Sequence, residues 1–298
     1  MIMIKKVLIL GSKGMLGQEL VCVFSEAGHK VTGWDFGDID VNDASDTREK
    51  IIMLHPDVII NAVAYNAVDL CEEDENEFEK AWRLNAEVPG ELASVALEIG
   101  AVFAHYSTDY VFDGEQRSGG YSEDAIPNPV SRYGESKFIG EKSVAAIGGR
   151  YFIIRLSKLF GMPASSVSAK KSFFAKMEEV AREKGAVSAV DDETGCFTYA
   201  PDLASATYSL VLDSAPVGVY HLVNEGSVSW YEALREYFRI IRIDAEIMPV
   251  SGASFTRPAR RPKDSTLCNT KRPALRDYRE ALESFANRKE SGSGHIVS

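Results

Sequence analysis

Tyr133 and Lys137 lie one helical turn apart in Tyr133-Gly134-Glu135-Ser136-Lys137, downstream of the run Ser107-Thr108-Asp109-Tyr110-Val111-Phe112. A phenol with an ordinary pKa of about 10 exchanges protons poorly near neutrality, but an ammonium at i+4 on the same helix face favours its ionised form. Such a pair moves protons, and a hydroxyl from Ser107 or Thr108 would hold a carbonyl oxygen between itself and the tyrosine. The same spacing also fits an ordinary exposed helix pair, so its surroundings decide.

Those surroundings begin at the N-terminus. Val7-Leu8-Ile9-Leu10 is a continuous apolar run, as expected of a strand covered on both faces of a parallel sheet. It feeds Gly11-Ser12-Lys13-Gly14-Met15-Leu16-Gly17, which enters an amphipathic stretch carrying Leu16, Leu20, Val23 and Phe24. Strand, glycine loop and helix in this order let the backbone approach a pyrophosphate at the positive end of the helix dipole. The glycines stand three apart rather than in the Gly-x-Gly-x-x-Gly form of the dinucleotide fingerprint, and a tight ligand-free turn is the alternative. The next strand, Lys30-Val31-Thr32-Gly33-Trp34, ends in Asp35. A carboxylate there accepts from ribose hydroxyls; with no basic residue immediately after it, the sequence leans toward NADH over NADPH.

The chain is 298 residues long, 45% hydrophobic, with Lys+Arg 33 against Asp+Glu 44 and a net charge of −11. That length supports one large or two modest domains with a full core, and the acidic balance disfavours nucleic acid and anionic membrane as partners. The opening Met1-Ile2-Met3-Ile4-Lys5-Lys6 runs straight into the first strand, leaving no room for a cleavable signal, and no apolar segment approaches membrane-spanning length, so a cytoplasmic protein is expected. Cys22, Cys71, Cys196 and Cys268 are scattered without metal-ligand spacing, as are the histidines; no metal site is expected.

The first half alternates strand and helix: Asp57-Val58-Ile59-Ile60-Asn61 reads as a strand, Glu77 to Leu97 as a helix, and Ala101 to Tyr106 as another strand. The pattern predicts an α/β fold with a doubly wound parallel sheet of Rossmann type. Ligands on such sheets sit beyond the strand carboxyl ends, where Gly11, Asn61-Ala62 and Ser107-Thr108 converge. A loop is expected between Asp113 and Val130. The dinucleotide domain is expected over residues 1–155. A smaller, interleaved substrate domain follows over 156–288, the strand near 219–223 returning to the first sheet. Residues 289–298 read as a disordered tail.

Together the motifs resemble the extended short-chain dehydrogenase/reductase superfamily and, within it, the dTDP-4-dehydrorhamnose reductase family. They are Gly11-x-x-Gly14-x-x-Gly17, Asn61 to Asp69, Asn85-Ala86-x-x-Pro89, Ser107 to Gly114, Tyr133-Gly134-x-Ser136-Lys137, Ser229-Trp230-Tyr231-Glu232 and Arg261-Pro262-x-x-Ser265. The resemblance implies that Gly11, Ser12, Lys13, Gly14, Met15, Leu16 and Gly17 cradle the cofactor pyrophosphate. Asp35, Asp40 and Val41 would lie near its adenosine, and Asn61, Ala62, Val63 and Ala64 would line its nicotinamide side. Lys137 would bond the nicotinamide ribose and keep the Tyr133 phenol acidic, Thr108 would hold the sugar C4 carbonyl, and Tyr133 would donate the proton. Thr108, Asp109, Tyr110, Tyr133, Lys158 and Arg261 would meet a nucleotide-sugar substrate, in a homodimer serving surface polysaccharide synthesis.

The second half departs from the family pattern. Lys158 stands where the family usually has tryptophan packed on the deoxysugar, implying either a different or more acidic sugar or a lysine that points to solvent. Phe197 replaces a usual proline. Arg257, Arg260, Arg261 and Lys263 suit a diphosphate, or form a solvated basic loop, and Trp230 reads as core. Two alternatives stay open: a reductase or epimerase of another nucleotide sugar, and a non-catalytic, cofactor-binding regulatory subunit.

Overall fold

Val7 and Ile9 point to one side of the first strand, β1 (Lys6–Leu10), and Leu8 and Leu10 to the other, and both sides are buried. The first pair packs with Leu16, Leu20 and Phe24 of helix α1 (Met15–Glu26) and with Leu203, Ala204 and Leu210 of helix Ala200–Leu212. The second pair packs with Ile51, Val88, Leu92 and Ala93 of helices Ala44–Leu54 and Val88–Glu98. A period of two thus divides one apolar run between two helical layers.

The computed structural model describes residues 4–115, 119–165, 171–213 and 215–293. Its main sheet has six parallel strands: β1, β2 (Lys30–Trp34), β3 (Val58–Asn61), β4 (Val102–Thr108), β5 (Tyr151–Leu156) and a sixth, Gly218–His221. From one edge the order is the sixth strand, β5, β4, β3, β1, β2. The chain therefore reverses direction across the sheet between β1 and β3, and this switch point opens a crevice at the strand carboxyl ends. The sixth strand pairs Gly218 with Phe152 and His221 with Arg155.

The single helix expected from Glu77 to Leu97 differs in the structure. Helices Glu75–Trp82 and Val88–Glu98 are joined by a π turn, Arg83–Glu87. Asn85, fully buried in that turn, accepts from Tyr65 N at 3.0 Å and donates to Tyr65 O at 2.9 Å and Ser136 Oγ at 3.1 Å. Its amide satisfies a neighbouring segment, and the widened turn places it there.

Beyond Leu156 the strands are short. Ala186–Val190 pairs with Glu246–Val250, and Thr194–Cys196 with Ser227–Ser229. They surround an aromatic core of Phe160, Phe174, Phe197, Tyr199, Tyr237 and Phe285. Trp230 opens helix Trp230–Ile240 behind a capping box made by Ser229 and Glu232, and packs on Phe173 and Phe197. The last helix, Tyr278–Ser293, corrects part of the expected tail: residues 289–293 continue it, and Lys289 donates to Glu178. Apolar anchors Ala281, Leu282 and Phe285 dock this helix on the aromatic core, which a polar C-terminal composition hides. Residues 294–298 of that expectation lie outside the described residues.

Candidate active site

Gly11 leaves β1 with φ +76°, and its N–H and that of Ser12 donate to Trp34 O at 2.8 and 3.2 Å. A Cβ on Gly11 would stand 3.0 Å from the Ala62 carbonyl, and one on Gly17 would stand 2.0 Å from Gly11 O. The glycines therefore let β1, the loop and α1 close on each other. Gly14 begins α1 without a side-chain cap, so the first helical N–H groups have no side chain over them. Such a cradle, which added Cβ atoms would fill, fits a pyrophosphate. Within it the side chains of Met15 and Leu16 turn elsewhere, Met15 against Gly161 and Leu16 into the core, so only their backbone can serve a ligand. Lys13 N donates to Asp35 Oδ2 at 2.8 Å, tying the loop to the end of β2. Asp40 caps Asn42 at the surface, and Val41 packs in the core.

Asn61, at the end of β3, is fully buried. Its Oδ1 accepts from Val63 N at 3.1 Å and its Nδ2 lies 3.2 Å from His105 Nδ1. Asn61 thus shapes the Ala62-Val63-Ala64 turn beside Gly11 and is itself consumed in doing so. Burial, and the positive charge of Lys137, hold the His105 imidazole neutral.

Across the crevice stands helix Arg132–Ile147, capped by Ser131 Oγ on Gly134 N at 3.2 Å. It carries Tyr133, half-buried, and Lys137, 2% exposed. Lys137 Nζ donates to Tyr106 O of β4 at 2.6 Å, and burial lowers its pKa to about 8, opposed by Glu141. Tyr133 packs edge-on against Tyr110 at 5.7 Å. Burial first, then the charge of Asp109, pushes the Tyr133 phenol up, against the pull of a hydrogen bond with Thr108. In this arrangement the Lys137 ammonium is turned to the Tyr106 carbonyl, and burial, not the lysine, is the leading influence on the phenol. Of the two hydroxyls left open by the sequence, Thr108 reaches Tyr133, whereas Ser107 Oγ is buried without a hydrogen-bond partner among the described residues.

Asp109 is 3% exposed and faces inward. Its Oδ2 accepts from Ser157 Oγ at 2.7 Å and Ser265 Oγ at 2.5 Å, and its Oδ1 from Thr108 Oγ1 at 3.1 Å. Ser157 and Ser265 carry no sequence signal of this role, since they come from segments far apart in the chain. Lys158 does not point to solvent. Its Nζ donates to Glu193 O at 3.0 Å and Val228 O at 3.3 Å, and lies 5.0 and 4.9 Å from the ring centroids of Phe197 and Trp230.

A cleft of about 590 Å³ is lined by Asp192, Glu193, Arg257, Arg260, Arg261 and Lys263, among others, and the charges of Arg261, Glu193 and Arg257 act on nearby Tyr110. Arg261 grips Asp69 with both guanidinium nitrogens at 2.8 and 2.7 Å, Arg257 pairs with Glu193, and Arg260 with Glu115 at 3.2 Å. Three of the four basic residues are thus paired with carboxylates, Arg260 in an exposed pair. Among the described residues no helix is long and apolar enough to cross a membrane.

A tyrosine with a lysine one turn on, in a fold that carries a glycine cradle at the switch point of a parallel sheet, defines a dinucleotide-dependent carbonyl reductase of the short-chain type. The model of the RmlD substrate binding domain family matches residues 5–291, and the chain belongs to that family. It is 35% identical over 292 residues to a dTDP-4-dehydrorhamnose reductase of Streptomyces griseus, covering 93% of this chain and 92% of the relative. It is also 32% identical over 292 residues to the spore coat polysaccharide biosynthesis protein SpsK of Bacillus subtilis, covering 96% and 98%. Among solved structures, a dTDP-4-dehydrorhamnose reductase of Clostridium acetobutylicum superposes with TM-score 0.89 at 32% identity, covering 96% of this chain and 99% of that one. One from Bacillus anthracis, in complex with NADP, also gives 0.89, at 30% identity, covering 96% and 100%.

Proposed function

We propose that this chain reduces the C4 carbonyl of a dTDP-activated 4-keto-6-deoxysugar, converting dTDP-4-dehydro-L-rhamnose to dTDP-L-rhamnose with NAD(P)H. The observation that carries the reading is Tyr133, one helical turn from Lys137 and hydrogen-bonded with Thr108, its phenol pushed up by burial. The reduced nicotinamide, when bound, supplies hydride to the sugar C4. Tyr133 gives its phenolic proton to the C4 oxygen, and Thr108, its hydroxyl oriented by Asp109, stands beside Tyr133. Lys137 would take the nicotinamide ribose and steady the phenolate left behind; its burial at the Tyr106 carbonyl supports that role. Gly11 to Gly17 hold the pyrophosphate through backbone N–H groups, and Ala62 to Ala64 wall the nicotinamide side.

Arg257, Arg260, Arg261 and Lys263 receive the sugar-nucleotide diphosphate in the cleft near Tyr110. In this reading residues 1–155, with the sixth strand, carry the cofactor, and residues 156–288 carry most of the sugar nucleotide. Preference for NADH rests on Asp35, whose carboxylate stands at the β2 end where a 2′-phosphate would meet it. The Bacillus anthracis relative is described with NADP, so both cofactors belong in the assay. We place the protein in the cytoplasm, as a homodimer.

The test is oxidation of NADH and of NADPH with a panel of keto-sugar nucleotides. Turnover with the dTDP-rhamnose precursor supports the proposal, turnover only with another sugar moves the substrate, and binding without turnover of any sugar removes the enzymatic reading.

A further inference from the structure

Lys158 adopts φ +41°, a conformation uncommon outside glycine. Its side chain runs across Gly195, where a Cβ would stand 3.0 Å from Ser265 Oγ and 3.2 Å from both Ser157 Oγ and Lys158 Cε. The lysine stem and the two serine hydroxyls that hold Asp109 therefore converge on one point. The ammonium spends two donors on the carbonyls of Glu193 and Val228 and lies near two aromatic faces, so it is not a free cation offered to an acidic sugar. Asp109, for its part, accepts three hydroxyl donors and has no arginine or lysine within salt-bridge distance among the described residues.

We propose that Lys158 is a positioning residue for the reduction: its ammonium is the counter-charge that keeps buried Asp109 an ionised acceptor, and Asp109 in turn fixes the Thr108 hydroxyl beside Tyr133. An ionised carboxylate only accepts, so Thr108 must donate to it and keep a lone pair toward Tyr133. A protonated Asp109 would donate instead and turn the Thr108 hydroxyl round. Burial raises the Asp109 carboxyl above its ordinary value, toward that neutral form; the Ser265 and Ser157 hydroxyls oppose it, and then the charge of Lys158. The charged and titratable groups acting on Lys158 itself are Asp109, Cys196, Glu193 and Asp264, with burial lowering its pKa to about 8.

The inference rests on the reductase reading, but its first test does not need turnover. In the wild-type protein, carbon-13 NMR of the Lys158 Cε and Asp109 Cγ resonances is followed from pH 6 to 10. The expected result is a step at Asp109 in parallel with the titration of Lys158; an Asp109 signal that ignores that titration overturns the proposal. In Asp109→Asn, Lys158 should titrate lower by about one unit, and an unmoved value counts against it. The kinetic arm compares Lys158→Met in the wild-type and Asp109→Asn backgrounds. We expect kcat to fall about tenfold in the first and less than about twofold in the second, with KM nearly constant and Lys158→Arg recovering most of the loss. Equal losses in both backgrounds mean a merely structural lysine and overturn the proposal. Should wild-type protein oxidise neither NADH nor NADPH with any keto-sugar, the reductase reading fails while the NMR result still decides the Lys158–Asp109 coupling.

Discussion

Tyr133 and Lys137 are neighbours on one helix face, yet burial acts on their protons in opposite senses, holding the phenol neutral and loosening the ammonium. Replacing Tyr133 by Phe should lower kcat by about 10³-fold, within the range general acids contribute, while NADPH affinity measured by fluorescence titration stays within about twofold. Lys137 also sets a pH signature. Its folded pKa, about 8, lies below the ordinary 10.5, so between these values the unfolded chain holds the extra proton. The burial penalty is full below pH 8 and fades above it. Urea midpoints should therefore show wild type gaining stability relative to Lys137→Met as pH rises from 8 toward 10.5, and a constant gap would contradict a buried, proton-losing lysine. The three side chains proposed to react, Thr108, Tyr133 and Lys137, were legible in the sequence because spacing and chain position announce them. Asp109 was legible only as a motif letter: its partners Ser157 and Ser265 meet it through tertiary folding, and the inward turn of Lys158 depends on carbonyls at Glu193 and Val228 that no local pattern reveals.

Helix Arg132–Ile147 reaches the crevice through two close approaches. A Cβ on Gly134 would stand 2.2 Å from Tyr110 O, and one on Gly140 would stand 2.0 Å from Asn85 O in the π turn. Gly140→Ala must push the helix outward, carrying Tyr133 and Lys137 with it; kcat should drop at least about tenfold, since small misplacements of reacting groups are costly, with a lower Tm by calorimetry. The same helix is fastened to β5 by the buried pair of Glu141 and Arg155, at 2.8 and 2.6 Å. Glu141→Gln leaves that guanidinium uncompensated and should cost about 3–5 kcal/mol in urea unfolding. At this scale the sequence showed the alternation of strand and helix, because apolar runs and glycine turns are local signals. It did not show the break at Arg83–Glu87, since a π turn keeps helical composition and is imposed by the contacts of Asn85.

Over the whole molecule the net charge is −11, and the cleft, lined by four acidic and four basic residues, is less acidic than the chain as a whole, with its three arginines already engaged by carboxylates. Arg261→Met should raise KM for the nucleotide sugar about tenfold or more with little change in kcat, the pattern of lost uniform binding. Raising ionic strength should weaken wild-type binding in the same direction. The short strands and aromatic core of the second half were hardest to foresee, because Phe160, Phe197, Tyr237 and Phe285 come together from separated segments without a common period. The sixth strand has a consequence for how the protein is made. As the chain leaves the ribosome, β1 to β5 can assemble while the outer edge of β5 stays unpaired, because Gly218–His221 is synthesised only after the intervening aromatic segments. An open parallel edge is a template for mispairing. The nascent protein is thus most exposed to aggregation during that interval, and a pause in translation just before the sixth strand would lengthen it.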